Sequence, residues 1–419
     1  MGPYGENARR LYESDENGSL NCSVWSPDSK RILYVQNDPN GTNFVSRALD
    51  GGPPVLALEG ADEIYDVSWL SDGRLIYSKS EPEIIGGNIC NFWETHLDSK
   101  TGKLIQKPRR LTSWSGFCMS DLSVTADAQK LAYLKWASRF TTYIAGLDPD
   151  GDRISNSMHF TPSESVDLPL DWTPDGKTLI LYSNRTGQGG IYRQGLDESS
   201  PTPIVVQSDI VGMPRVAADG NSLLYLRREN ADEPQLVMRV PLAGGASQQV
   251  SSARRGAQIT CARTPSQLCV IAEPTDDHRQ LIITALDPMK GRGPELSKFR
   301  LDPKEDAWFV DVSPDGTRIA AITSPAGPIY IRSLRGGSEN QIQAKGWSNL
   351  RSLNWAADGS SLFVGTGGDG TILHVDFRGN AAVLQKDTLS SCVRAAPDGR
   401  HLAIAQHTME RNLWMMENF

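Results

Sequence analysis

Short apolar runs bounded by turn residues recur along the whole chain. Ile32-Leu33-Tyr34, Leu179-Ile180-Leu181-Tyr182, Leu223-Leu224-Tyr225-Leu226 and Ile319-Ala320 are examples. Runs this short, ended by Gly, Pro and Asp, fit strands buried on both faces better than helices. Other stretches alternate polar and apolar positions, as in Gly190-Ile191-Tyr192-Arg193-Gln194-Gly195-Leu196, the pattern of a strand with one wet face. No long stretch shows helical periodicity with caps. The pattern predicts an all-β protein.

A turn of one type precedes most of the apolar runs. It reads Trp25-Ser26-Pro27-Asp28-Ser29-Lys30 early, Val312-Ser313-Pro314-Asp315-Gly316 later and Ala396-Pro397-Asp398-Gly399 near the end. Pro presets φ at the first corner, Asp caps the turn through its carboxylate, and Gly takes the left-handed position. The turn aspartates are Asp28, Asp72, Asp127, Asp175, Asp219, Asp315, Asp358 and Asp398, and the degenerate Thr264-Pro265-Ser266-Gln267-Leu268 fills the widest gap. A Trp often stands three residues ahead of the Asp: Trp25, Trp69, Trp172 and Trp355. A second turn follows in most units, as in Leu49-Asp50-Gly51-Gly52, Leu242-Ala243-Gly244-Gly245, Leu334-Arg335-Gly336-Gly337 and Phe377-Arg378-Gly379-Asn380. Two hairpins per unit make a four-stranded antiparallel blade, and repetition at this period predicts a β-propeller.

Nine units are expected over one domain, 1–419: 15–58, 61–113, 117–161, 165–206, 209–250, 256–300, 305–343, 347–385 and 388–419. Nine exceeds the usual range for propellers, so eight blades are an alternative. The last unit holds its first hairpin and a third strand, Asn412-Leu413-Trp414-Met415-Met416. Residues 8–13, with Ala8-Arg9-Arg10-Leu11-Tyr12 resembling the fourth-strand segment Pro108-Arg109-Arg110-Leu111-Thr112, are expected to complete that last blade and close the ring.

Composition narrows the partners. A hydrophobic content of 39% and a charged content of 22% suit a globular chain of strands and turns. The formal net charge of −8 argues against nucleic acid as a partner and gives no attraction to an anionic membrane surface. No apolar run approaches the ~18 residues of a spanning helix. Met1-Gly2-Pro3-Tyr4-Gly5-Glu6-Asn7 has neither the basic nor the apolar region of a signal peptide. A monomer is expected, cytoplasmic if free-standing, and periplasmic or extracellular if it belongs to a larger membrane-anchored protein.

Candidate chemistry is sparse. There is no Val-Ala-Ile-Lys, His-Arg-Asp or Asp-Phe-Gly of a kinase; His278-Arg279-Gln280 and Asp376-Phe377-Arg378 lack the required residues. No Gly-x-Ser-x-Gly elbow occurs. Gly365-Thr366-Gly367-Gly368-Asp369-Gly370 satisfies a dinucleotide-binding spacing, but Thr371-Ile372-Leu373-His374-Val375 follows as a strand, so a hairpin loop is expected. Asp148-Pro149-Asp150-Gly151-Asp152 alternates carboxylates as calcium loops do, yet Gly is fourth and His159 twelfth, and a solvated turn fits better. The histidines, His401 and His407 among them, show no metal spacing. The positions ahead of the turns read mainly as Ser, Val, Asn and Trp, which speaks against an acid/base channel. No catalytic, cofactor-binding or metal residue is assigned, and no cofactor is expected. Cys261 and Cys269 flank the degenerate turn on paired strands and could form a cross-strand disulfide. Cys22 and Cys392 could lock a closed seam or stay as small buried thiols, the favoured alternative, and Cys90 and Cys118 show no evident partners. The insertion Glu81-Pro82-Glu83-Ile84-Ile85-Gly86-Gly87-Asn88 is either a binding loop on one rim or an ordinary surface loop.

The Ser-Pro-Asp-Gly hairpins and Leu-Asp-Gly-Gly turns resemble TolB-type, WD-repeat-like propellers. Asn412-Leu413-Trp414-Met415-Met416-Glu417-Asn418-Phe419, Leu286-Asp287-Pro288-Met289-Lys290-Gly291-Arg292-Gly293 and Gly346-Trp347-Ser348-Asn349-Leu350 look like the C-terminal propeller region of acidobacterial eukaryotic-like serine/threonine kinases and winged-helix regulators. That resemblance, which covers nearly the whole chain, implies a sensor or interaction module outside the membrane; the upstream kinase or DNA-binding domains of the family are not in this sequence. The expected function is a non-enzymatic module that binds protein, peptide or glycan at its rim loops or channel mouth. The alternatives are a channel-mouth enzyme such as a glycan-active propeller, and a TolB-like envelope accessory protein, although the separate N-terminal domain of that family is not evident.

Overall fold

The computed structural model describes the chain except for residues 1–9, 14–17, 39–40, 61–63, 82–88, 115, 162–164, 187, 208–209, 230–232, 302–307, 337–338 and 387–391. The described residues hold strands and turns and no helix. Strands β1 (Ser19–Trp25), β2 (Arg31–Asp38), β3 (Gly41–Ala48) and β4 (Val55–Leu58) form the first sheet. The second is β5 (Ile64–Trp69), β6 (Arg74–Glu81), β7 (Ile89–Leu97) and β8 (Leu104–Arg110). Next come β9 (Cys118–Val124), the long β10 (Lys130–Leu147) and β11 (Ile154–His159).

Five four-stranded meanders follow. They are β12 (Asp167–Trp172), β13 (Thr178–Ser183), β14 (Gly190–Gly195) and β15 (Thr202–Val206); then β16 (Ile210–Val216), β17 (Ser222–Arg228), β18 (Gln235–Pro241) and β19 (Gln248–Ala253). The next is β20 (Gln258–Cys261), β21 (Cys269–Pro274), β22 (Gln280–Asp287) and β23 (Gly291–Arg300). The last two are β24 (Phe309–Val312), β25 (Arg318–Ile322), β26 (Ile329–Ser333) and β27 (Glu339–Ile342), and β28 (Leu350–Trp355), β29 (Ser361–Thr366), β30 (Ile372–Asp376) and β31 (Ala381–Gln385). The chain closes with β32 (Cys392–Ala395) and the long β33 (His401–Glu417).

The turn chemistry accounts for the hairpins. In all eight aspartate turns the carboxylate accepts the backbone N–H two residues on, at 2.8–3.1 Å. Gly176 and Gly316 take the left-handed position at φ 68° and 70°, and Ser29 holds it without glycine at φ 57°.

Nine sequence units give eight sheets among the described residues, because the third and ninth units share one. That sheet runs β11-β10-β33-β32, with β9 also on β10. The N-terminal segment is therefore not the strand that completes the C-terminal hairpin. Ala8 and Arg9 lie outside the described residues, and Arg10–Glu13 is irregular, with Tyr12 stacked on Tyr34. The pairing is antiparallel: Leu147 N donates to Arg400 O at one end, and Asn418 N donates to Gln129 O at the other. The strand beside β33 is thus β10, from residues 130–147.

The described chain divides into two compact units. The first comprises residues 1–82, 87–138 and 409–419; the second comprises 83–86 and 139–408. In the first, the sheets beginning with β1, β5 and β9 follow one another, and apolar clusters around Leu33, Phe44 and Trp69, and around Phe92, Leu131 and Tyr133, fill the two interfaces. In the second, β12 neighbours β16, β16 neighbours β20, and the succession continues through β24 and β28 to β32, which neighbours β12. Its apolar clusters lie between successive sheets, with Trp355, Val310, Ile259, Tyr225, Trp172 and Phe363 at their centres. In the second unit each sheet has a neighbour on both faces, which is why its second strands read as unbroken apolar runs.

Cys261 and Cys269 are directly opposite on β20 and β21 and form a disulfide. Cys90 and Cys118, without an evident partner in the sequence, form a second one, with their Cα atoms 4.6 Å apart. Cys22 and Cys392 are free thiols, half-buried and not fully buried as the favoured alternative had it. Each lies against a carbonyl of a neighbouring sheet, Tyr65 O at 3.4 Å and Pro169 O at 3.3 Å.

Candidate functional site

The first strands of the second unit line a cavity of about 50 Å³. Its polar lining is Asp171, Arg215, Thr260, Asp311, Asn354 and Arg394, one from each sheet, joined by Arg263 from the degenerate turn. Five of the six stand four residues ahead of a turn aspartate. The expectation of mainly Ser, Val, Asn and Trp ahead of the turns is corrected here. It holds at the corresponding positions of the first unit, Val24, Ser68 and Ser123, and fails where the cavity forms.

These side chains fasten each sheet to the next. Asp171 accepts Trp172 N on its own strand and Val216 N on the following sheet, both at 2.8 Å. Asp311 accepts the Thr260 hydroxyl and the Asn354 amide, each at 2.7 Å, and Trp355 N at 3.0 Å. Asn354 in turn accepts Ala395 N at 2.6 Å. Arg394 Nε donates to Leu170 O at 2.9 Å, and the Trp172 indole donates back to Arg394 O at 3.1 Å. Trp355 does the same toward Asp311 O at 2.9 Å, so in the second unit the tryptophan three residues ahead of the Asp is a donor across the sheet boundary, whereas the Trp69 indole of the first unit is buried with no partner among the described residues.

The charges are crowded. Arg215 also donates to Leu170 O at 2.9 Å, so two guanidiniums share one carbonyl. Burial works against the Arg215 charge, and Arg394 beside it adds to the repulsion. Burial also lowers Arg263 and raises the carboxyl of Asp171. Arg263 reaches across to donate Nη2 to Ala395 O at 2.8 Å, while its Nη1 is buried and has no partner among the described residues. Arg263 also borders a wider mouth of about 370 Å³, formed by Pro174, Thr264, Pro265, Pro314 and Pro397 with Asp315, Ala357 and Asp358. The degenerate turn is one residue longer between its closing backbone bond (Ala262 N to Leu268 O) than the regular ones (Ser313 N to Arg318 O). Counted from the residue that opens this bond, Arg263 stands where the other turns of the second unit carry Pro or Ala.

A second pocket of about 550 Å³ lies against the β10–β11 turn and the β28–β31 sheet. There Asp152 Oδ1 meets His374 Nδ1 at 2.8 Å, and His374 Nε2 meets the Ser361 hydroxyl at 2.6 Å. The connectivity is that of a Ser-His-Asp relay. Its surroundings oppose such chemistry: Asp148, Asp150, Asp358, Asp376 and Asp398 line the same pocket, and an oxyanion forming there would meet carboxylates instead of donors. The relay ties the β10–β11 turn to the β28–β31 sheet.

Asp148 spends its carboxylate on Asp152 N and Arg153 N, as a hairpin turn does. Gly365–Gly370 joins β29 to β30 with no helix following. His401 pairs with Asp398, and His407 stacks on Phe140. Among the described residues no group of three His, Cys, Asp or Glu side chains could hold a metal ion, and no helix is long and apolar enough to cross a membrane. The insertion at 81–88 falls outside the described residues apart from the end of β6.

No family model and no curated protein matches the chain. Similar solved structures include TolB from Acinetobacter baumannii, at 14% identity over 82% of this chain and 81% of that one, with a TM-score of 0.45. An oligogalacturonate lyase in complex with manganese matches at 13% identity over 94% and 92%, with a TM-score of 0.33. Puromycin hydrolase, as its S511A mutant, matches at 14% identity over 93% of this chain and 58% of that one, with a TM-score of 0.35.

Proposed function

We propose that the second unit is a closed six-bladed β-propeller and that the chain is a non-enzymatic binding module, taking its ligand or protein partner at the proline-lined mouth. The cyclic succession of first strands, β32 returning to β12, supports the ring. One observation carries the binding reading. The cavity carboxylates, Asp171 and Asp311, each already accept two or three donors from the scaffold, so neither is placed as a free acid or base. The same side chains tie together the first strands that lead into the mouth turns, the kind of scaffold on which loops bind. The two disulfides favour an oxidising compartment such as the bacterial envelope. The sensor role, linked to a kinase or winged-helix regulator, follows from the motif resemblance alone.

The test is photo-cross-linking with p-benzoylphenylalanine in place of Ala357, run beside turnover assays on polysaccharide, ester and peptide substrates. Adducts specific to that position, with no turnover, support the module. Turnover that disappears in D311N or S361A overturns it in favour of an enzyme.

A further inference from the structure

The cavity behind the mouth carries unbalanced charge. Three guanidiniums (Arg215, Arg263 and Arg394) and two carboxylates (Asp171 and Asp311) line one small space, and among the described residues no ion pair joins any of the three arginines to a carboxylate. The arginines bond to backbone carbonyls, and the Nη1 of Arg263 bonds to nothing described. Leaving a guanidinium nitrogen buried without a partner is costly; the lining itself holds one more positive than negative group, and Asp398 acts on Arg263 from outside it.

Size and shape select the anion. A water needs about 10–15 Å³ of such volume. The cavity, at about 50 Å³, therefore has room for a few water-sized groups, enough for a carboxylate with the rest of its ligand outside in the mouth. Guanidinium forks match a planar carboxylate in two parallel bonds. A phosphate dianion would overshoot neutrality beside two aspartates. Asp315 and Asp358 at the mouth repel a second negative charge on the same ligand. The ligand's body fits the mouth, among Pro174, Pro265, Pro314, Pro397 and Ala357.

We propose that the cavity of the second unit is a monocarboxylate site, in which Arg263 receives the carboxylate at the boundary between mouth and cavity, and Arg215 and Arg394 complete its neutralisation. The proposal rests on the reading of the mouth as a binding site. The carboxylate belongs either to a small organic acid or to a polypeptide C-terminus.

Ligand-observed NMR on the full chain tests it with sodium acetate, acetamide, sodium succinate, inorganic phosphate, tri-alanine and tri-alanine amide. Acetate is expected to bind about tenfold or more tighter than acetamide, and tri-alanine than its amide, a charge-assisted pair being lost in each amide. Succinate and phosphate bind more weakly than acetate. R263Q, checked for a native melting transition, abolishes the preference for acid over amide, and R263K keeps part of it. If R263Q does not fold, the graded loss in R263K carries the test. Tri-alanine tighter than acetate identifies a chain terminus as the source, and the reverse identifies a small acid. Equal binding of acetate and acetamide, or an unchanged preference in folded R263Q, overturns the site. Specific cross-linking at Ala357 without an acid preference sinks the carboxylate inference alone. An acid preference without cross-linking supports the anion site and sinks the binding-module reading.

Discussion

The two units are built from one repeat and use it differently. Both carry the capped aspartate turn, and both use a carboxylate to fasten a sheet to its neighbour. In the first, Asp66 accepts Val67 N at 2.8 Å and Leu122 N at 2.6 Å, as Asp171 does with Trp172 and Val216 in the second. The difference lies four residues ahead of the turn. The first unit has Val24, Ser68 and Ser123 there, and its sheets form an open series of three. The second places charged or amide groups at five of six such positions, and its series returns to its start. A side chain aimed inward toward a sheet boundary that is covered on every side needs partners, and the cyclic arrangement supplies them from both neighbours. Succession and charge thus go together: a first strand with a neighbour on each side can pair its inward polar groups, and those groups set the charge of the cavity.

The comparison breaks most directly at Asp311. D311A leaves the Thr260 hydroxyl, the Asn354 amide and Trp355 N unpaired in a buried place and is expected to cost about 3–5 kcal/mol. D66A orphans two donors at a half-buried site and should cost about 1–3 kcal/mol. Urea unfolding of the two variants measures both. Equal losses would show that the linkers do the same work in both units.

The disulfides give the next largest contrast, in the opposite direction. Cys90 and Cys118 of the first unit are separated by 28 positions, and Cys261 and Cys269 of the second by 8. Loop-closure entropy then predicts losses of about 3.5 kcal/mol for C90S/C118S and about 2.5 kcal/mol for C261S/C269S. Denaturation of the oxidised parent beside each double variant checks the order. A larger loss for the short loop would mean that packing around Cys269, not chain entropy, decides.

Much of this was open to a reader of the sequence, and the exceptions have physical causes. The turn aspartates and the all-β class follow from local pattern, because Asp capping and left-handed glycine act within a few residues. The Cys261–Cys269 bond was legible because both residues flank one turn. Cys90 and Cys118 lie on β7 and β9 of different sheets, and only the packing of those sheets brings them together. The β10–β33 pairing joins segments far apart in the chain, with no local signal to announce it. The cavity was hidden by averaging. Pooling nine units mixes Val24, Ser68 and Ser123 with Asp171, Arg215, Asp311, Asn354 and Arg394, and the charged column appears only once the two units are separated. Arg263 carried no signal, since its turn lacks the aspartate by which the others align.

The smallest effect separates turns from linkers by pH. Asp28, Asp72 and Asp127 in the first unit, and Asp175, Asp219, Asp315 and Asp358 in the second, lie below the ordinary carboxylate value. For Asp315, burial opposes the charge, but hydrogen bonds from Ser313 and Thr317 outweigh it and hold the carboxyl down at about 2. A depressed folded value means that these turns contribute stability above the ordinary value of about 4 and lose it as pH falls toward their folded values. Asp66 and Asp171 carry the opposite sign, because burial raises both, so protonation above that range favours the folded state. On acidification the urea midpoint should therefore hold or rise slightly before it falls between about pH 4 and 2. The falling limb comes from turns common to both units, so probes in either unit should share it. D315N should make that limb shallower, and D171N should remove part of the earlier rise while leaving the fall intact. An unchanged acid limb in D315N would mean that the turn's hydrogen bonds are as strong in the protonated form, and the capping carboxylate would then contribute geometry and not charge.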